Sequence, residues 1–222
     1  MEVTVSKKKR APNTEPFTAL PFVPSQPTLR KLKIAAAGCT GCPLWRTGTQ
    51  TVFGEGKPTA KVMFVGEQPG NDEDLQGKPF VGPAGKLLDK CLVEAGINRD
   101  DVYVTNAVKH FKWEPAGKRR LHKKPSAREI AACRPWLEAE IEVLRPAVIV
   151  ALGATGAQTL LGRDFRVTQH RGELIPSPLA PNVLATVHPS SILRAPDDET
   201  RRAETARFID DLKKAATVIS KL

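Results

Sequence analysis

The chain of 222 residues has no apolar run near the roughly 20 residues that a membrane-spanning helix needs. Its first residues, MEVTVSKKKRAPNTEP, also lack the apolar core of a signal peptide. Both absences predict an intracellular protein without membrane contact, working in the cytoplasm and, in a bacterium, at the nucleoid. Cysteines in such a compartment rarely form disulfides, so the four in this chain need another explanation.

The chain has fewer acidic than basic residues. Lys and Arg number 34 against 24 Asp and Glu, which gives a formal net charge of +10. An excess of positive charge fits a polyanionic partner, most simply nucleic acid. No coiled-coil pattern and no obvious apolar interface appear either, so a monomer is predicted.

The chain divides into a tail and one domain. Residues 1–27 are rich in proline and polar residues and carry the cluster KKKR, which predicts a flexible basic tail. Residues 28–222 contain no repeat and no second linker, so they are predicted to form a single domain. A short helix over about 28–37 leads into GCTGC.

Four short apolar runs, each bounded by turn residues, predict strands buried on both faces. They are KVMFVGE (61–67), VYVTNAVK (102–109), AVIVALG (147–153) and NVLATVHP (182–189). Segments of helical periodicity lie between them, and one opens with the capping box Ser126–Glu129. This alternation predicts a three-layer α/β/α fold with a central four-stranded parallel sheet.

Polar residues lie at the carboxyl ends of three of the four predicted strands. They are Glu67 with Gln68, Asn106 and His188, while Gly153 follows the remaining strand. Open parallel sheets bind ligands beyond the carboxyl ends of their strands, so this convergence favours an active site. The alternative is that strand ends carry polar residues because they meet water.

The cysteines suggest a metal centre. Cys39 and Cys42 have the spacing of a metal-ligand or redox pair, but no strand precedes them as it does in redox motifs. Cys133 and His110 are the best additional ligands, because Cys91 lies on the apolar face of a helix. A set of three cysteines and one histidine suits structural zinc as well as an iron–sulfur cluster.

Two longer motifs point to a family. GEQPGNDEDLQGKPFVGPAG (66–85) and HPSSILR (188–194) resemble the signature motifs of the uracil-DNA glycosylase superfamily. The cysteines resemble those of its iron–sulfur-containing family 4. Gln68 and the segment KRRLH (118–122) are similar to the X-type branch (UdgX), whose signature is KRRIH. The resemblance covers about residues 30 to 215.

The resemblance implies a uracil-DNA glycosylase-like fold and uracil-containing DNA, single-stranded or double-stranded, as the partner. It also implies a 4Fe–4S cluster held by Cys39, Cys42, His110 and Cys133. Ordinary family 4 proteins have a cysteine at the place of His110, so this ligand follows the X-type pattern alone.

A base pocket is implied as well. Phe80 would stack on a flipped uracil, with Gly66 and Gly70 beside it; the alternative is an ordinary core phenylalanine. Asn106 can donate to uracil O4 and accept from N3–H, which excludes cytosine. His188 would donate to O2 as negative charge develops there.

The basic segment GKRRLHKKP (117–125), by itself a solvated loop, gains a function from the resemblance. His122 would attack the sugar C1′ and stay covalently bound, while Glu67 stabilises its charge and Gln68 organises the site. Residues implied to contact DNA phosphates are Lys118, Arg119, Arg120, Lys123, Ser190 and Ser191. Leu193 and Arg194 resemble the wedge that fills the vacated stack. Two alternatives stay open: a turnover family 4 enzyme whose KRRLH only grips phosphate, and a noncatalytic metal-bound nucleic-acid module.

Overall fold

A computed structural model describes residues 17–221 of the chain. Residues 1–16 of the predicted tail lie outside the described residues. Residues 17–27, predicted to belong to that tail, instead contact the domain. Ala19 is buried, and its N–H donates to the carbonyl of Ala132 at 2.7 Å.

Strands and helices alternate along most of the chain. The strands are β1 (Val62–Gly66), β2 (Val102–Asn106), β3 (Trp113–Ala116), β4 (Arg119–His122), β5 (Val148–Leu152), β6 (Leu174–Ser177) and β7 (Ala180–Thr186). The helices are α1 (Leu29–Ala36), α2 (Asn71–Gln76), α3 (Pro83–Glu94), α4 (Ala127–Leu144), α5 (Gly153–Leu161), α6 (Val167–His170), α7 (Pro189–Leu193) and α8 (Asp198–Ile219). None of the helices within residues 17–221 is long and apolar enough to cross a membrane.

The central sheet has the strand order β2-β1-β5-β7-β6. The strands β1, β2, β5 and β7 run parallel and correspond to the four apolar runs, so the predicted architecture is confirmed. The predicted strand count is wrong, because β6 adds a fifth strand, antiparallel to β7. This short segment contains Pro176, which lacks an N–H and is tolerated at the edge of a sheet.

Helices cover both faces of the sheet, which explains why its strands are apolar throughout. One core layer joins the sheet to α3 and α8, and the other joins it to α4 and α5. A third apolar cluster lies beside the sheet, between α1 and α4, and contains Cys39, Cys42 and Cys133.

The basic segment is a loop only at its end, residues 123–125. Residues 117–122 instead form the turn and the strand β4 of an antiparallel hairpin with β3, in which His122 pairs with Trp113. Gly117 and Lys118 form its two-residue turn, and Gly117 has a φ of 60°. A positive φ at the first turn position is typical of a type II′ turn, which only glycine adopts easily.

Candidate active site and thiol cluster

The carboxyl ends of the four parallel strands lie at one edge of the sheet. There the structure brings together Glu67, Asn106 and His188, as expected from the sequence. Gly153, which opens α5 with a φ of 80°, lies against the side chain of His188. The edge therefore carries a carboxylate, an amide and an imidazole from different strands.

Phe80 and Asn106 form one wall of this edge. A side chain on Gly66 would collide with Asn106 Oδ1 and with the ring of Phe80, so both groups lie directly against Gly66. The ring of Phe80 stacks on that of His188, with centroids 6.1 Å apart and planes inclined by 28°. This cluster of an aromatic face, an amide and an imidazole has the groups needed to hold a planar, hydrogen-bonding base.

The backbone at Phe80 is strained. Its φ is 56°, a region that bulky residues rarely occupy and that often marks a functional site. A side chain on Gly85 would collide with the carbonyl of Phe80, so this glycine permits the turn to pack on α3. Gly70 begins α2, and its N–H donates to Glu73 Oε2 at 3.1 Å. Nearby, Gly82 N–H donates to the other carboxylate oxygen of Glu73 at 2.8 Å.

The hydrogen bonds of His188 define its tautomer. Its Nδ1 accepts from the N–H of Ser190 at 3.1 Å and lies 2.8 Å from the hydroxyl of the same serine. A neutral imidazole with Nδ1 as acceptor carries its proton on Nε2. Burial, with smaller contributions from Arg194 and His122, lowers the pKa of His188 to about 4. At neutral pH this histidine is therefore an uncharged Nε2–H donor.

The two serines that follow His188 both form hydrogen bonds with it. The hydroxyl of Ser191 donates to the carbonyl of His188 at 2.7 Å, and Ser190 is bound to the ring. In this structure both serine hydroxyls, predicted to contact phosphates, position the histidine. Leu193 and Arg194 are exposed at the end of α7, and an exposed leucine there fits the predicted wedge.

Glu67 lies between α5 and the hairpin. Its Oε2 accepts a short hydrogen bond from the hydroxyl of Thr155, and its Oε1 lies 3.7 Å from Nε2 of His122. The side chain of His122 is 50% exposed, whereas that of Glu67 is 23% exposed. The structure thus brings His122 to the strand ends, 55 residues beyond Glu67 in sequence.

Gln68 holds the base of the hairpin. Its Oε1 accepts from the N–H of Lys112 at 3.0 Å, which orients the amide. The NH₂ group then faces the carbonyls of Lys112 at 3.2 Å and Lys123 at 3.0 Å, and Nε2 of His122 at 2.9 Å. Since the amide nitrogen can only donate, Nε2 of His122 accepts and presents a lone pair.

Arg120 attaches the hairpin to the domain. Its guanidinium donates to Asp74 at 2.6 Å, Asn71 at 2.9 Å and Thr49 at 3.1 Å. It also lies 5.4 Å from the ring of Phe111, and the Asp74 side chain is fully buried. In this structure Arg120 anchors the hairpin, because it faces inward beside His122 on alternate positions of β4, and its contact with a DNA phosphate stays a prediction.

The other predicted DNA-contacting cations lie on the surface of the hairpin. Lys118 and Arg119 are exposed at its tip. Lys123 forms an exposed ion pair with Glu114 at 2.8 Å. These positions leave Lys118 and Arg119 best placed to meet a phosphate backbone.

Three of the four cysteines share one buried cluster. Cys39, Cys42 and Cys133 are each less than a tenth exposed, whereas Cys91 lies on the buried face of α3. Trp136 Nε1–H donates to Cys39 Sγ at 3.3 Å. Burial raises the pKa of Cys133 to about 12 and also raises that of Cys42. Thiols in such a place become ligands only when a metal displaces their protons.

His110 is buried near the loop that precedes β1. Its Nε2 lies 2.9 Å from the hydroxyl of Thr51, which itself donates to the carbonyl of Ala36. The hydroxyl oxygen therefore accepts from Nε2–H, and Nδ1 keeps a lone pair. Burial lowers the pKa of His110 to about 4, so the ring is neutral.

Three thiols and one imidazole are ligand types that suit structural zinc as well as an iron–sulfur cluster. Among residues 17–221, no three His, Cys, Asp or Glu side chains are close enough to hold one metal ion. An iron–sulfur cluster places each protein ligand on a different iron, so its ligands need not converge on one atom. Soft thiols with one imidazole fit that group.

Sequence reasoning missed a buried ion pair behind Asn106. Lys109 and Glu140 lie 2.5 Å apart, with side chains 1% and 0% exposed. A signal existed, because Glu140 falls within the apolar stripe of α4 that includes Leu137, Ile141 and Leu144. An acid at such a position requires a buried partner.

The fold and the strand-end site together are those of a base-excising α/β enzyme. Residues 53–213 match the Uracil DNA glycosylase superfamily, and the chain belongs to this family. It is 42% identical over 184 residues to a type-4 uracil-DNA glycosylase of Thermotoga maritima, covering 82% of this chain and 90% of that protein. The Archaeoglobus fulgidus type-4 enzyme is 38% identical over 165 residues, covering 71% and 79% respectively. A type-5 uracil-DNA glycosylase of Thermus thermophilus is 30% identical over 194 residues, covering 79% and 82%.

Proposed function

We propose that this uracil-DNA glycosylase excises uracil from DNA and then becomes covalently joined to the abasic sugar through His122. The observation that carries the proposal is the position of His122, whose Nε2 accepts from Gln68 at 2.9 Å and lies 3.7 Å from Glu67 Oε1. The hairpin therefore presents an unprotonated nitrogen, with a carboxylate beside it, at the edge where the base pocket lies.

Bond cleavage is assisted from the base side. A flipped uracil stacks on Phe80, and the Asn106 amide pairs with O4 and N3–H. As the bond between C1′ and uracil N1 breaks, its electron pair moves onto the base. The Nε2–H of His188 donates to O2, where this charge accumulates. One such donor accelerates comparable reactions by about 10²–10³-fold.

Bond formation uses the other side of the sugar. The lone pair on His122 Nε2 attacks the electron-poor C1′, and a bond between nitrogen and C1′ forms. The ring becomes a cation, which the Glu67 carboxylate stabilises until Nδ1 releases its proton to solvent. Uracil leaves as an anion and takes up a proton from solvent.

Release of His122 from Gln68 is easily achieved. The two amide hydrogens of Gln68 face three acceptors, and two of these are the main-chain carbonyls of Lys112 and Lys123. Both hydrogens therefore keep partners when the imidazole turns towards C1′. Gln68 holds the nucleophile ready without binding it tightly.

A second candidate is hydrolysis with turnover. The similarity to type-4 enzymes favours it, and so does the half-exposed position of His122, because water has access to Glu67. In this mechanism Glu67 orients a water against C1′ and the hairpin only binds phosphate.

One experiment separates the two. The protein is incubated with a single-stranded oligonucleotide that contains one uracil, and the products are separated on a denaturing gel before and after alkali treatment. A heat-stable protein–DNA band supports covalent trapping. Alkali cleavage without that band supports hydrolysis. If neither the protein–DNA band nor alkali cleavage is seen, uracil excision itself is contradicted. The same oligonucleotide with thymine in place of uracil is the control.

We also propose that Cys39, Cys42, Cys133 and His110 hold a 4Fe–4S cluster. The three buried thiols and the lone pair on His110 Nδ1 support this set. Bound there, the cluster would join α1, α4 and the segment after β2, and so brace the loops that face DNA.

The cluster proposal is tested by composition. Protein purified without oxygen should be brown, with broad absorption in the blue, and should contain iron and inorganic sulfide. Cys133→Ser should lose the iron, whereas Cys91→Ser should keep it because Cys91, on the buried face of α3, lies in a different core cluster. A colourless protein containing zinc would contradict the proposal.

The monomeric state and the intracellular, nucleoid-associated location stay predictions.

A further inference from the structure

A lysine without a role in the proposed chemistry lies directly behind the uracil pocket. The ammonium of Lys109 is 1% exposed and pairs with the fully buried Glu140 at 2.5 Å. Charges are buried only where hydrogen bonds and an opposite charge compensate for lost hydration. This pair therefore has to be explained by its surroundings.

Lys109 closes the turn that follows β2. Its Nζ donates to the main-chain carbonyl of Asn106 at 2.8 Å and to the hydroxyl of Thr105 at 2.6 Å. Asn106 is the last residue of β2 and supplies the amide proposed to read the base. The ammonium thus holds the main chain of that residue from inside the protein.

Glu140 fixes the ammonium from α4. Its Oε1 accepts from the hydroxyl of Tyr103 at 2.8 Å and from the N–H of Gly54 at 3.2 Å, while Thr105 lies 3.0 Å away. Tyr103 and Thr105 are alternate residues of β2 and face the same helix. The network therefore ties the end of β2 to α4 by groups that all have partners.

The main chain of the same residue contacts the thiol cluster. The N–H of Lys109 donates to Cys133 Sγ at 3.3 Å, and His110 follows directly. Lys109 therefore touches the uracil-reading residue with its side chain and a proposed cluster ligand with its amide.

We infer that Lys109 is a positioning residue for uracil recognition: its ammonium, held by Glu140, fixes the turn that aims the Asn106 amide, and its N–H ties this turn to Cys133. The inference rests on the proposed uracil excision. The competing explanation is an ion pair that only stabilises the fold.

Two variants separate these explanations because they change stability and positioning independently. Lys109→Met/Glu140→Gln removes both charges, and the glutamine oxygen can still accept from Tyr103 and Gly54, so this double variant should restore much of the stability that Lys109→Met loses. It also removes the bond to the Asn106 carbonyl. Tyr103→Phe removes one hydrogen bond to Glu140 but keeps both the ion pair and the bond from Lys109 to that carbonyl.

Single-turnover uracil release, inhibition by free uracil and thermal unfolding are then measured for each variant. For the double variant we expect release at least about tenfold slower and a free-uracil inhibition constant at least about tenfold higher. Its affinity for an abasic oligonucleotide should not change, because phosphate contacts remain. Tyr103→Phe should stay within about threefold of wild type in release although it unfolds at lower temperature.

A further readout comes from the main-chain contact. Iron content and visible absorption of the double variant should equal those of the wild type, because the N–H of residue 109 still reaches Cys133.

Recovery of uracil release and uracil inhibition together with stability in the double variant would overturn the inference. If the double variant does not fold, Tyr103→Phe decides alone: release that falls in step with stability in this variant contradicts positioning by Lys109. A wild-type protein that releases no uracil would refute the proposed function instead, before any variant is compared.

Discussion

The two sides of the candidate site are built differently. On the base side, Asn106 and His188 lie at the ends of buried parallel strands, and main-chain and side-chain hydrogen bonds fix both residues. On the sugar side, His122 is half exposed at the end of a two-stranded hairpin held mainly by Gln68 and Arg120. The proposed recognition of the base therefore depends on residues at the core of the fold, whereas the proposed covalent step depends on the peripheral hairpin of β3 and β4.

This difference has a consequence for mutation. Changes to the exposed side chains of the hairpin should alter the chemistry and leave the fold intact, whereas loss of the inward-facing Arg120 should also lower stability. Changes on the base side should weaken recognition in any mechanism, hydrolytic or covalent. Each prediction below tests one side against the other.

The largest effect is expected for His122→Ala, which should abolish the covalent adduct. The fold should persist because the side chain is 50% exposed, so the melting temperature should stay close to that of the wild type. Denaturing gels with uracil-containing DNA measure the adduct. Leu121→Ala is the matched control: this exposed neighbour points to the other face of β4, and its adduct should form normally. An adduct in His122→Ala would remove His122 as the nucleophile.

On the base side, His188→Asn should slow uracil release by about 10²–10³-fold, because the donor to O2 is lost. Asparagine caps helices well, so its oxygen can still accept from Ser190 N–H and preserve the start of α7. Single-turnover release at neutral pH gives the rate, and circular dichroism checks the fold. A rate near that of the wild type would show that His188 is not the donor.

Next in size is Arg120→Met, which leaves the buried Asp74 carboxylate without its partner. Breaking such a pair should lower the free energy of unfolding by roughly 3 kcal/mol. Adduct formation should slow as well, since the hairpin that carries His122 loses its anchor. Urea unfolding and gel assays measure the two effects. Arg119→Met, on the exposed face of the same strand, should weaken DNA binding while leaving stability unchanged. Equal stability losses in both variants would contradict the assigned anchor.

The last prediction concerns pH, where the change within any one pH unit is small. The pKa of His188 is about 4 in the folded protein against 6.5 for a free histidine, so the unfolded state binds a proton more readily. Its contribution to stability is complete above pH 6.5 and is lost as the pH falls towards 4, by at most about 1.4 kcal/mol per pH unit. His110 acts in the same direction, so the informative quantity is the difference between wild type and His188→Asn. Urea unfolding between pH 7 and 4 should show a shallower decline in the variant, and equal slopes would contradict the assignment.

The sequence allowed prediction of the architecture and the strand-end residues, because buried parallel strands have near-continuous apolar runs. It did not reveal the hairpin. The strand WEPA contains a proline and a glutamate, and its pairing depends on contacts with Gln68, which is distant in sequence. Arg120 likewise appeared as one cation among five, since only the alternation of a strand separates it from exposed Arg119. Nor does any local pattern predict the positive φ of Phe80, because that turn is imposed by packing against Gly85.

The two-residue turn at Gly117 and Lys118 fixes the register of the hairpin, so the face on which His122 lies depends on whether its position along β4 is odd or even. With this turn, Arg120 and His122 share the inward face, and Arg119 and Leu121 the outward one. A single residue added to β4 between Arg120 and His122 would turn the imidazole away from Glu67 without altering any residue of the pocket. An insertion of two would restore the facing direction and lengthen the arm. Under the covalent mechanism proposed above, an odd or even number of residues in β4 would decide whether the protein attaches itself to DNA or only removes the base.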